Sequence, residues 1–75
     1  MKTEIVKVIK HVNNNRPKII VESNLGELLV NISNDDFIKI HSGNIVQLTY
    51  NSKVIESKGN FYQVNTAETI KPLQL

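Results

Sequence analysis

The 75-residue chain contains no cysteine. Without thiols it has neither a disulfide framework nor thiolate metal ligands, so its stability must come from packing, hydrogen bonding or self-association. The N-terminal sequence MKTEIVKVIK carries a Lys or Glu every few positions. This interruption of the apolar residues predicts neither a signal peptide nor a membrane span. We therefore expect a soluble, cytoplasmic protein that makes no membrane contact.

The residues that carry chemistry are few and scattered. A metal site needs several converging His, Asp or Glu ligands, but the only two histidines, His11 and His41, lie far apart in the sequence. Ser42 adjoins His41, yet a catalytic triad needs a geometry that adjacency in sequence does not create. The three glycines are isolated from one another and form no phosphate-binding loop. We expect no enzyme activity, no metal and no cofactor.

Positive charge is only slightly in excess. Nine Lys and Arg residues against seven Asp and Glu residues give a formal net charge of +2. Proteins dedicated to nucleic acid usually concentrate basic residues on one face, whereas here they are spread along the whole chain. The length allows one domain, residues 1–75, near the lower limit for an unaided hydrophobic core.

Residues that favour β-strands are abundant. Ile, Val and Thr supply 22 of the 75 residues, in short runs that Asn, Gly, Ser and Pro interrupt. This pattern is typical of a small antiparallel β-barrel or sandwich. Residues 4–12 fit both an alternating strand and a helical stripe, and we favour a strand because the apolar positions are all Ile or Val.

The next two strands are predicted at residues 18–22 and 27–33, joined by a hairpin turn at residues 23–26. Ser33 and Asp36 then resemble a helix capping box, and Gly43 suits a left-handed C-terminal cap, so one or two helical turns are expected. The apolar side chains of this segment expected to point into the barrel are Phe37, Ile40 and, as a third candidate, Ile38.

A fourth strand is predicted at residues 44–50, followed by a turn at Asn51 and Ser52. Residues 53–57 and 61–64 then form a second hairpin around a tight turn at residues 58–60. The tail, residues 66–72, is interpreted as an edge segment or a frayed end.

Three strands, a short helix and two further strands resemble the small OB-like barrels, in which a helix between the third and fourth strands closes one end. The segment that carries the resemblance is DDFIKIHSGNIVQLTY. It is similar to a connection in small barrel domains of Gram-positive bacteria and their phages. The resemblance implies a mainly β, antiparallel barrel of about five strands. An SH3-like barrel is the alternative.

Such a barrel suggests one candidate function, the binding of single-stranded nucleic acid through exposed aromatic residues bordered by basic ones. Phe61 and Tyr62 are consecutive, so only one of them can face inward; if Phe61 packs in the core, Tyr62 is outside. The candidate residues are Tyr62, Tyr50, Lys7, Lys10, Arg16, Lys18, Lys53 and Lys58. The competing interpretation is that a chain with four aromatic residues needs most of them for its core.

Protein–protein contact is the favoured function, because several strands are apolar on both faces and a small barrel has only one interior. Extended apolar surface tends to mark interaction sites. The residues expected to face outward are Ile5, Ile9, Leu29 and Ile45. An edge strand such as residues 4–12 could also add to a partner sheet. We therefore expect a non-enzymatic binding module whose partner is another protein or a second copy, with weak nucleic-acid binding as the alternative.

Overall fold

The computed structural model describes residues 1–73, whose five strands close into a barrel in the order β1-β2-β3-β5-β4. The elements are β1 (Lys2–Asn14), β2 (Arg16–Ser23), β3 (Gly26–Asn31), α1 (Asn34–Lys39), β4 (Ile45–Ser57) and β5 (Asn60–Pro72). All neighbouring strands are antiparallel except β3 and β5, which are parallel. The predicted mainly β barrel with a helix between the third and fourth strands is confirmed, and it is consistent with an OB-like barrel.

Residues 4–12 form part of a strand, as favoured. Val6 and Val8 face the interior, and a bulge between Val8 and Lys10 then shifts the register so that His11 lies opposite the buried Ile19. β1 pairs with β2 on one side and with β4 on the other. The expectation that this segment is an edge strand was wrong, because β1 lies between two strands of a closed barrel: residues 2–7 pair with β4 and residues 7–14 pair with β2.

The core is almost entirely aliphatic. Its β-branched side chains pack well on the inner surface of a pleated sheet. The buried residues are Val6, Val8, Ile19, Val21, Val30, Ile32, Ile40, Val46, Leu48 and Tyr50.

The short helix covers one end of the barrel, and its start is as predicted. The Ser33 side chain accepts a hydrogen bond from the Asp36 backbone N–H at 3.1 Å. The helix ends earlier than expected, at Ile40 in extended backbone. Gly43, with φ +91°, instead lies in the turn before β4, where its N–H donates to the Val8 carbonyl. The predicted cap at Gly43 was therefore wrong, because this glycine serves the turn and not the helix.

Two side chains hold the helix against the barrel. Ile40 is fully buried and Phe37 packs on the core, whereas Ile38 is 73% exposed and was wrongly offered as an inward residue. The His11 ring makes an edge-on contact with Phe37 and a hydrogen bond to the Ile40 carbonyl. His11 thus connects β1 to the end of the helix.

The last two strands are longer than the sequence suggested. Asn51 and Ser52 do not turn the chain, because β4 continues through them to Ser57. The segment at residues 66–72 is not a frayed tail, because it pairs with β4 and completes the barrel. The tight turn is confirmed at Lys58 (φ 52°) and Gly59 (φ 79°), where two positive φ values indicate a type I′ hairpin.

Candidate interaction site

Beyond the Ser52–Asn65 pair, β4 and β5 leave the barrel as a two-stranded ribbon, residues 53–64, here called the arm. Five cross-strand pairs run from Lys53–Val64 to Ser57–Asn60. At a rise of about 3.3 Å per residue the arm is roughly 17 Å long. It contributes to the elongated shape of the molecule, which measures 44 Å by 24 Å by 18 Å.

The arm separates from the barrel at Asn65, whose side chain is 6% exposed. Its amide nitrogen donates to the Leu29 carbonyl at 3.1 Å, and its amide oxygen accepts from the Ser52 hydroxyl at 2.6 Å and from Gln63 at 3.1 Å. Within residues 1–73, β3 and β5 pair only at Val30–Asn65 and at the next residue pair. At the point where β3 and β5 stop pairing, the Leu29 carbonyl therefore accepts its hydrogen bond from the Asn65 side chain.

A groove of about 270 Å³ opens where the two strands diverge. Leu28 and Leu29 line one side of it, and Val64 and Gln63 line the other. Lys18 and Glu27 also contribute to its wall. The groove therefore has both apolar and polar walls and carries one charge of each sign.

The arm carries exposed apolar side chains on both faces. Ile55 lies opposite Tyr62 on one face, and Val54 and Phe61 lie on the other. Their exposed fractions are 72% for Phe61, 67% for Val54, 50% for Tyr62 and 42% for Ile55. A two-stranded ribbon is marginally stable on its own in water, and clustered exposed apolar surface tends to mark an interaction site. The arm is therefore the strongest candidate interaction site on the molecule.

Neither Phe61 nor Tyr62 packs in the core, although the alternation of a strand allowed one of them to face inward. Phe61 is on the face of β5 that continues the barrel interior, but the arm extends past the barrel, so this ring has no core beneath it. The rule that alternate residues point inward holds only while a strand lies over the core.

The other aromatic candidate, Tyr50, is 3% exposed and belongs to the core. Because its ring is buried, no base can stack on it, and its prediction as a nucleic-acid contact was wrong. Its hydroxyl donates to a carboxylate oxygen of Glu4 at 2.7 Å. This hydrogen bond, burial and the negative charge of Glu4 raise the pKa of Tyr50 to about 12.

The basic candidates lie in three places. Lys10, Arg16 and Lys18 are near the end of the β1–β2 hairpin, where the Lys18 ammonium donates to the Asn14 carbonyl at 2.9 Å. Lys53 and Lys58 are on the arm, while Lys7 lies opposite Glu22, next to its negative charge. Three of the six basic residues thus lie on one hairpin, and the others are dispersed.

The candidate protein contacts are similarly divided. Leu29 is exposed and lies at the groove beside the arm. Ile5 is exposed and Ile45 is half-buried, and both lie on the β1–β4 side of the barrel, away from the groove. Ile9 is half-buried at the bulge in β1. The sequence identified apolar outer positions correctly at Ile5 and Leu29, but it did not identify Val54, Ile55 or Phe61.

Within the described range, residues 1–73, no three His, Cys, Asp or Glu side chains come together as a metal site could require. No helix in this range is long and apolar enough to cross a membrane. Comparison with family models, with curated proteins and with solved structures finds no match.

The Tyr50–Glu4 hydrogen bond predicts a pH dependence of stability. Because the folded state holds the Tyr50 pKa near 12 against an ordinary value of 10.0, the stabilisation is complete below pH 10 and is lost as the pH rises through 12. Two pKa units correspond to at most about 3 kcal/mol. At neutral pH we expect the free energy of unfolding to be higher for the wild-type protein than for the Tyr50→Phe variant. This difference should shrink between pH 10 and 12. Urea unfolding at a series of pH values measures it; a constant difference up to pH 12 would show that the hydroxyl gains nothing from Glu4.

Proposed function

We propose that this protein is a non-enzymatic binding module that acts through protein–protein contacts made by the arm. The observation that carries the proposal is the exposure of Val54, Ile55, Phe61 and Tyr62 on a ribbon that extends beyond the core. The barrel provides a rigid base, and the Asn65 hydrogen bonds fix the point at which the arm leaves it.

The composition of the arm favours a protein partner over a nucleic acid. Two of its four large apolar side chains are aliphatic and offer no π-face for stacking. Glu56 lies directly opposite Phe61, so a carboxylate adjoins this ring where a phosphate backbone would approach. Lys10, Arg16 and Lys18, half of the basic candidates, lie in the β1–β2 hairpin and not on the arm.

A pair of matched variants tests the proposal. Phe61→Ser removes an apolar side chain from the arm, and Ile38→Ser removes one of nearly equal exposure, 73% against 72%, from the helix. Immobilised wild-type protein and Ile38→Ser should retain the same proteins from a lysate of the source cells, and Phe61→Ser should lose them. Titration of a retained protein, once purified, should show at least about a tenfold weaker affinity for Phe61→Ser, as expected for an apolar anchor. Equal retention and affinity in all three would place the binding surface elsewhere.

Single-stranded nucleic acid is the second candidate ligand. The observation in its favour is that Tyr62 is half-exposed and that Lys53, two residues before Ile55 on β4, shares its face of the arm. NMR titration with a mixed-sequence oligonucleotide tests this alternative. If the partner is a protein, the backbone amide signals of the arm should stay unchanged. Shifts at Tyr62 and Lys53 that disappear with added salt would favour nucleic acid instead.

A further inference from the structure

The two long sides of the arm differ in charge. The side formed by β4 carries Lys53 and Glu56, and Lys58 follows in the turn. The β5 side, residues 60–64, has the sequence NFYQV, with no charge and no proline. Natural proteins usually protect exposed strand edges with lysine, proline or a bulge, because an unprotected edge pairs readily with another strand. The β5 side of the arm therefore lacks two of these protections and is open to pairing with another strand.

The turn determines which backbone groups point outward from this side. Residues that flank a two-residue turn exchange both of their backbone hydrogen bonds, and such pairs alternate along an antiparallel ribbon. Ser57–Asn60 and Ile55–Tyr62 are therefore hydrogen-bonded pairs, and the N–H and C=O groups of Phe61 and Gln63 point away from β4. The same alternation directs the backbone of Asn65 towards β3, where the structure pairs Asn65 with Val30.

We propose that the arm's partner is a second copy of this chain, an inference that rests on the proposed function. Residues 60–64 of the two copies pair antiparallel, and the two-fold axis passes through the Tyr62–Tyr62 pair. In this register Phe61 of each copy lies opposite Gln63 of the other. All the outward backbone groups of these two residues are then hydrogen-bonded, four bonds in total. A register centred on Phe61 or on Gln63 would pair only half of them.

The same register aligns the apolar side chains. It forms a four-stranded sheet, more stable than two separate ribbons, in which the order Ile55, Tyr62, Tyr62, Ile55 crosses one face. Phe61 and Tyr62 of both copies have on the order of 500 Å² of exposed surface to bury, given about 200 Å² for a whole aromatic side chain. Edge-to-edge pairing covers only part of this surface, and Val54 and Ile55 lie on the outer β4 strands of the sheet, so the interface is smaller than the roughly 1,200 Å² of specific complexes. We therefore expect a reversible dimer that forms at high protein concentration.

Cysteine variants test the register, since the native chain has no thiol. Tyr62→Cys places two cysteines in a non-hydrogen-bonded antiparallel pair, with Cα atoms about 4.5 Å apart, which a disulfide can span. Asn60→Cys, on the same strand and face, places them roughly 13 Å apart, beyond disulfide reach. With oxidised glutathione as the oxidant, Tyr62→Cys should form a covalent dimer of about 17 kDa, twice the 8.5 kDa of the chain, at least about tenfold faster than Asn60→Cys. Equal rates would overturn the register.

A second pair of variants tests the dimer itself. Gln63→Pro removes an outward N–H, whereas Gln63→Ala removes the same side chain and keeps that N–H. Sedimentation of wild type and Gln63→Ala from about 10 μM to about 1 mM should show the mass rising towards that of a dimer, and Gln63→Pro should remain a folded monomer. If Gln63→Pro does not fold, Tyr62→Lys serves in its place, because it sets two like charges at the axis.

The two proposals fail in different ways. A wild-type protein that stays monomeric up to about 1 mM overturns the second copy as partner. Protein contact through the arm then still stands if Phe61→Ser loses a retained protein that Ile38→Ser keeps. If the wild type dimerises and Tyr62→Lys dimerises equally well, the arm is not the dimer interface and the second proposal is contradicted; if Phe61→Ser also keeps every protein that the wild type retains, both proposals are contradicted.

Discussion

Replacing Asn65 with aspartate is expected to lower the free energy of unfolding by about 2 to 4 kcal/mol at pH 7. The Asn65 amide nitrogen is a hydrogen-bond donor to the Leu29 carbonyl in a site that is 6% exposed. An aspartate has no donor there, so it sets a carboxylate against a carbonyl oxygen and buries a charge. Ser52 and Gln63 would still donate to it and offset part of the cost.

The same variant should recover stability in acid. Burial favours the neutral carboxyl, so the folded state should raise its pKa above the ordinary value of about 3.9. The protonated carboxyl can donate to the Leu29 carbonyl, and the difference from wild type should shrink as the pH falls through the raised pKa. Urea unfolding from pH 4 to 8 measures this.

Asn60→Asp is the matched control, because it makes the same chemical change at the exposed tip of the same strand. It should alter the free energy of unfolding by less than about 0.5 kcal/mol. If Asn65→Asp behaves like Asn60→Asp at pH 7, the amide of Asn65 is not what secures the seam between β3 and β5.

The parts of the fold that local sequence determines could be predicted. Alternation over residues 27–33 and the β-branched residues of 4–12 identified strands, since each pattern reflects side chains on one face of a short segment. The capping residue Ser33 identified the start of the helix because its bond to Asp36 spans three residues. The tight turn at residues 58–60 was predicted because Gly59 adopts positive φ readily, and the structure shows it to be type I′.

The continuity of β4 could not be predicted from its own residues. Asn51 and Ser52 favour turns locally, but in the fold each has a partner on β5: Asn51 donates to Glu68 and Ser52 to Asn65. The partners are at least 13 residues away in the chain. The strand at residues 60–72 was divided for the same reason, since its pairing with β4 becomes visible only when the barrel closes.

The candidate site was predicted in part. Surplus apolar positions indicated an interaction surface, and Tyr62 was identified as an outward residue. The arm itself was missed, because the length of a ribbon beyond the barrel depends on where pairing with β3 stops. Asn65 marks that point, and a single asparagine in an alternating run gives no sign of it.

The largest functional effect is expected from removing the arm. A variant in which Asn-Gly joins Lys53 directly to Val64 replaces residues 54–63 with a two-residue type I′ turn, which fits because Lys53–Val64 is a hydrogen-bonded pair of the ribbon. None of the ten buried apolar residues is removed, so the barrel should fold and keep the methyl NMR signals of Val8, Ile19 and Leu48. Both self-association and retention of partner proteins should be lost completely.

The most direct test of the arm as the binding element is therefore a binding measurement on this shortened barrel, at the concentrations at which the full chain binds. We predict a folded protein with no detectable binding to a partner protein or to a second copy. A shortened barrel that binds as tightly as the full chain would contradict the account, and so would one that fails to fold, because the arm would then be part of the structural core.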